Sequence, residues 1–144
     1  MTKIRHTGLV TNNLDKSLFF WINLIGFKVK SDQIESGKLL DKVLGYKNVK
    51  VRVVKALDEN NKGMLELLYF LNVPKQKKFK LKTYSYGFTH ISLTVKDVRS
   101  LYRQLKRNKI LFNARPSLSK DKKVIMTYCK TPEGAFLELV EERK

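Results

Sequence analysis

"HISLTVKDV", residues 90–98, repeats the pattern of "HTGLVTNNL", residues 6–14. Each segment opens on one of the chain's two histidines, His6 and His90. Each alternates as a strand does and then passes into a run with helical spacing. In the first run Asn12 or Asn13 can cap a helix, and Leu14, Leu18, Trp21, Ile22 and Ile25 recur on one face before Gly26 stops it. In the second, "DVRSLYRQLKRN", Val98, Leu101, Tyr102 and Leu105 point inward and the basic residues outward.

The segments after the two helices also correspond. After the first come strands at "FKVKSDQIE", "VKVRVVKAL" and "MLELLYFL", with a short helix at "GKLLDKVLGYKN" ended by Gly45. After the second come strands at "ILFNARPSL", "KVIMTYCK" and the run beyond the "TPEG" turn. The chain is therefore one strand-helix-three-strand unit written twice. The expected division is residues 1–72 for the first module, 73–85 for a linker and 86–144 for the second.

The repeat pairs His6 with His90, and Glu66 of "LELL" with Glu138 of "LELV". The separation from His to Glu is 60 residues in the first unit and 48 in the second, the extra short helix around 37–46 accounting for the difference. Both glutamates interrupt apolar strands. Met64, Glu66, Leu68 and Phe70 share a face, as do Phe136, Glu138 and Val140. A buried, unpaired carboxylate costs several kcal/mol, so each needs a partner, a cavity or an exposed edge. Two His and two carboxylates suit a borderline divalent metal such as zinc, nickel, cobalt, manganese or iron(II). Such an ion supplies the charge that lets both glutamates stay ionised among apolar neighbours.

Bulk properties bound the alternatives. A length of 144 residues suits one domain or two small modules, and an apolar share of 42% is ordinary for a globular protein. The single cysteine, Cys129, excludes an internal disulfide framework and a cysteine-based zinc site. The opening "MTKIRHTGLV" contains no apolar segment long enough for a signal peptide or a membrane span, so a cytoplasmic protein with no membrane partner is expected. The net charge of +17 raises nucleic acid as a partner. The basic residues are mostly lysines spread along the chain, the densest run being "PKQKKFKLK" at 74–82, and no nucleic-acid-binding motif is present. The expectation is no nucleic acid, with attraction of an anionic small substrate compatible with the charge.

The segments "HTGLVTNNLDKSLFFWINLIGFKV", "GMLELL", "HISLTVKDVRSLYRQL" and "TPEGAFLELVEE" resemble the vicinal oxygen chelate superfamily, the glyoxalase and bleomycin-resistance fold, over nearly the whole chain. The resemblance implies an α+β fold of two tandem βαβββ modules whose mixed sheets form a cup-shaped metal site. It implies His6, Glu66, His90 and Glu138 as the metal ligands. That full set resembles glyoxalase I, and the resemblance implies a metal-dependent lyase or isomerase. Such an enzyme abstracts a proton next to a carbonyl and stabilises the enediolate on the metal. Glu138 is the first choice of base and Glu66 the second. A methylmalonyl-CoA epimerase-like enzyme uses the same half-reaction and is the alternative. A metal-free binding protein of the bleomycin-resistance kind is another, although it has no need of four paired ligand residues. Iron(II) dioxygenases and fosfomycin-type thiol transferases carry a His at the second ligand position, where this chain has Glu66. The family also implies a small-molecule substrate and a homodimer, with the cup built within one chain or from two.

Three departures stand out. Trp21 occupies a position where the family usually has Tyr, and Thr131 the start of its Asp-Pro-Asp-Gly turn. Val10 and Phe70 stand where glutathione-using bacterial glyoxalase I typically has Arg and Asn, which implies a substrate other than a glutathione adduct.

Overall fold

Short strands with alternating burial and helices capped by Asx residues build each half of the chain. The computed structural model describes residues 1–74, 76–77 and 80–143. Residues 1–77 and 78–144 form two compact units. The linker expected at 73–85 lies partly outside the described residues, at 75, 78 and 79.

The first unit begins with β1 (Thr7–Val10) and α1 (Leu14–Leu18). The Asn13 side chain caps α1 by accepting from the Lys16 N–H at 3.0 Å. Buried Ser17 donates to the Thr11 hydroxyl at 2.7 Å, tying the helix back to the end of the strand. α1 continues as a π-helical stretch, Phe19–Leu24, in which the Ile25 N–H reaches back five residues to the Phe20 carbonyl at 2.9 Å. Phe20, Trp21 and Leu24 are buried, while Leu18, Ile22 and Ile25, expected inside on a 3.6-residue period, are half-buried.

β2 (Lys28–Ser36), α2 (Lys38–Leu44), β3 (Lys50–Leu57) and β4 (Met64–Phe70) complete this unit. The sheet order is β1-β4-β3-β2, with β1 parallel to β4 and the other pairs antiparallel. β3 is valine-rich because both its faces are covered. Val54 and Ala56 are fully buried on one side. On the other, Val51 and Val53 form a cluster with Val49, against which Leu40 of α2, Leu68 and Phe70 pack.

The second unit contains β5 (His90–Thr94), α3 (Val98–Arg107), β6 (Ser117–Leu118), β7 (Val124–Lys130) and β8 (Phe136–Glu142). Its order is β5-β8-β7-β6, with β5 parallel to β8, so it reproduces the plan of the first unit. Asp97 caps α3 through the Ser100 N–H at 2.8 Å. Val98 and Leu105 of α3 are fully buried, as are Leu137 and Leu139 of the sheet. The turn before β8 needs its glycine. Gly134 sits at φ 95° and donates to the Thr131 carbonyl at 3.0 Å. The strand expected over "ILFNARPSL" is mostly absent. Only Ser117–Leu118 and one bridge, Phe112 to Cys129, pair with the sheet. Pro116 has no N–H to continue the ladder.

Cys129 is fully buried in β7, and burial pushes its thiol up from the ordinary 9.0 to about 12. The folded protein is therefore expected to be inert to a thiol-exchange reagent at pH 8 and to react once unfolded in urea. Stability depends on pH for the same reason. Between pH 9 and about 12 only the unfolded thiol loses its proton, so stability present below pH 9 falls across that window. Rapid labelling of the native protein would contradict this.

Candidate metal centre

The parallel pairing of first and fourth strands places each His two residues before the position opposite its Glu. In the first unit Gly8 lies opposite Glu66, and His6 stands two residues earlier, just before β1 begins. In the second unit Ser92 lies opposite Glu138, and His90 stands two residues earlier. Both glutamates occupy interior strands of their sheets, β4 and β8. An exposed edge therefore does not account for either carboxylate.

In the first unit the pair is closed. His6 Nε2 lies 3.2 Å from Glu66 Oε2, with the two side chains 33% and 13% exposed. Two donor atoms bound to one ion at about 2.1 Å stand about 3 Å apart in tetrahedral or octahedral geometry, so this spacing suits neighbouring ligands. His6 Nδ1 is buried and has no hydrogen-bond partner among the described residues. The other Glu66 oxygen, Oε1, faces the Lys55 ammonium at 3.4 Å. Lys55 is the cross-strand neighbour of Glu66 on β3.

In the second unit the His and the Glu have different company. His90 is exposed, its Nδ1 lies 3.0 Å from the Thr89 hydroxyl, and its ring meets the Tyr128 ring edge-on at 5.5 Å. The tautomer with its proton on Nδ1 donates to Thr89 and leaves the Nε2 lone pair open to a ligand. Tyr128 is the cross-strand neighbour of Glu138, and its phenol donates to that carboxylate. Burial holds Tyr128 above the usual phenol range, helped by this hydrogen bond and by the negative charge of Glu138, so it remains a donor throughout the neutral range. Lys130, two residues on, is lowered by burial. Its ammonium sits 3.5 Å from the centre of the Phe136 ring and donates to the Leu81 carbonyl at 2.7 Å.

The donor set in each unit, an imidazole nitrogen at or just before the start of one strand and a carboxylate oxygen on its parallel neighbour, fits a borderline divalent ion. Within either unit, no three His, Cys, Asp or Glu side chains gather among the described residues. Each unit thus supplies a pair. Lys55 and Tyr128 escape the sequence reading, although the repeat contained the signal. Each lies on the third strand of its unit, across from the glutamate, and of the two cations in the apolar run "VRVVKAL" Arg52 pairs with Asp32 whereas Lys55 meets Glu66. At the positions where glutathione recognition would need polar groups, Val10 is exposed and Phe70 packs into the apolar cluster of β3.

Comparison with known proteins agrees with this architecture. A glyoxalase family protein from Bacillus cereus superposes with a TM-score of 0.91 at 18% identity, over 100% of this chain and 96% of that one. The trypanothione-dependent glyoxalase I of Leishmania major superposes with a TM-score of 0.67 at 20% identity, over 99% of this chain and 88% of that one. An antibiotic-binding protein from Streptomyces does so at 0.65 with 13% identity, over 99% and 98%. At these identities the likeness is one of fold, and the fold serves both an enzyme and a binding protein. No curated protein matches the sequence significantly. The family model described as Glyoxalase/Bleomycin resistance protein/Dioxygenase superfamily matches residues 3–139, nearly the whole length, and the chain belongs to that superfamily.

Proposed function

We propose that this protein is a metal-dependent lyase or isomerase of the glyoxalase I type, with His6, Glu66, His90 and Glu138 as ligands. The observation that carries the reading is the His6–Glu66 pair at 3.2 Å, with its counterpart at the equivalent register of the second unit. A divalent zinc, nickel, cobalt, manganese or iron ion held by these groups supplies a Lewis acid for substrate oxygens. The pairs are contributed by one chain or by two.

The residues divide the work by their neighbours. Glu66 is engaged at both oxygens, Oε2 by His6 and Oε1 by Lys55. Glu138 has a neutral phenol, Tyr128, as its neighbour. Glu138 is therefore the group able to move a proton. It takes one from the carbon beside a carbonyl and returns it to that carbon or the adjacent one. Tyr128 holds the carboxylate in place while it does so. Hemithioacetals and branched acyl-CoAs both present such a carbon, and a screen of the two classes separates the glyoxalase-like reaction from the epimerase-like one.

One observation favours a second reading. The Lys55 ammonium neutralises Glu66 without any metal, as a metal-free binding protein of the bleomycin-resistance kind would require. Metal content decides between them. Protein purified without chelator is expected to hold about one divalent ion per chain, and His6→Ala and His90→Ala are each expected to lower that occupancy. Full occupancy in both variants would remove the basis for the site. Absence of metal from the parent protein after incubation with each candidate ion would favour the binding protein.

A further inference from the structure

The second unit carries a groove unrelated to the paired His and Glu. It has a volume of about 510 Å³ and is lined by Arg99, Tyr102, Arg103, Lys106, Arg107, Arg115 and Pro116. We propose that it binds a small ligand bearing adjacent phosphates, such as a di- or triphosphate group.

Its composition differs from the rest of the surface. The chain has seven arginines among 30 basic residues, and four of the seven line this groove. Lysine is a strongly hydrated point charge that suits a solvated surface, whereas the planar guanidinium fork matches phosphate oxygens two at a time. Arg99, Arg103 and Arg107 recur every four residues along α3, which stacks them on one side of the helix about 6 Å apart. Like charges at that spacing destabilise a helix unless an anion lies among them. Among the described residues no carboxylate forms a salt bridge with any of the five cations.

Size selects the ligand. The arginine row extends about 12 Å, and the volume falls in the range of about 300–1,000 Å³ usual for small-molecule sites. A nucleic-acid strand needs a longer basic track. Tyr102 is held edge-on against Phe112 with ring centres 4.7 Å apart, and with Pro116 it gives the groove a fixed apolar wall. The Val98 N–H of α3 donates to Glu141 at 2.8 Å, and Glu141 shares its face of β8 with buried Leu137 and Leu139, which alternate with Glu138. The groove thus lies across the second unit's sheet from Glu138, and the inference stands apart from the proposed function.

The test is calorimetric titration of the full chain with sodium triphosphate at about 0.15 M salt, where the field of dispersed charges is screened. Binding with a Kd of about 100 μM or tighter is expected. The Arg103→Gln/Arg115→Gln variant should weaken it by about tenfold or more, as loss of two charge-assisted partners implies. Lys120→Gln/Lys123→Gln removes the same charge from exposed positions outside the groove and should change binding by no more than about twofold. All four positions are exposed, so unchanged circular dichroism and thermal midpoints are expected in both variants. Equal weakening in the two variants, or no binding by the parent chain, would overturn the proposal. So would equal binding of citrate, which carries carboxylates in place of phosphates. A single-stranded oligonucleotide that binds more tightly and displaces triphosphate would assign the groove to nucleic acid instead.

Discussion

Trp21→Ala is expected to lower stability by about 3–5 kcal/mol, the range for removing a large aromatic from a core. Trp21 is fully buried where the helix widens into its π-helical stretch. It meets Phe20 edge-on at 5.1 Å and Phe27 edge-on at 5.8 Å. Its carbonyl accepts from the Phe27 N–H at 2.9 Å, so the chain turning out of the helix is fixed at the same point. Alanine keeps the backbone bond but removes both ring contacts and leaves a cavity that neighbours fill only in part. For a chain of this size the loss corresponds to a thermal midpoint lower by about 10–15 °C. Trp21 is the chain's single tryptophan, so unfolding should be followed by circular dichroism rather than fluorescence. Trp21→Phe retains edge-to-face packing and should cost clearly less than Trp21→Ala. A loss below about 1 kcal/mol in the alanine variant would show that the site collapses freely and that this cluster does not anchor the first unit.

The two-unit plan is legible in the sequence because every level repeats it. Strand alternation, Asx caps and the LELL and LELV segments all recur, so each weak signal has a second copy to confirm it. Gly45 ends α2 at φ 75°, as the short helical pattern before it requires. Position relative to a repeat is legible, but contact across strands is not. Lys55 reaches Glu66 and Tyr128 reaches Glu138 only because antiparallel register sets them opposite. Register is fixed by which face is buried, a property of the whole sheet rather than of any one strand. The inward face of α1 is misjudged for a related reason. The apolar residues of this run offer two overlapping stripes, and the folded unit buries the one through Leu14, Ser17, Trp21 and Leu24, with Phe20 beside it. Around 110–118 an apolar run suggests a strand, but a proline within it cannot supply the N–H that a ladder needs.

Glu138→Gln is expected to keep the fold and lower catalysis by about 10²-fold or more, the low end for loss of a general base. The glutamine carboxamide retains an oxygen that can accept from the Tyr128 phenol and can face a metal ion. It cannot take up a proton as a carboxylate does. Glu138 is half-buried, with Phe136 and Val140 on its own side of β8 and fully buried Leu137 and Leu139 on the other. The substitution is nearly isosteric, so a collapse of packing is not expected to confound the result. Three measurements are needed on the same preparation. These are bound metal, the thermal midpoint, and deuterium exchange at the carbon beside the carbonyl, using whichever hemithioacetal or acyl-CoA the parent protein turns over. Retained metal and stability with exchange reduced by about 10²-fold place the proton transfer on Glu138. Exchange at the parent rate would move the base elsewhere, and Glu66 would become the candidate despite its ion pair with Lys55. Metal lost together with exchange would identify Glu138 as a ligand. The base would then be sought through Glu66→Gln, read by the same three measurements.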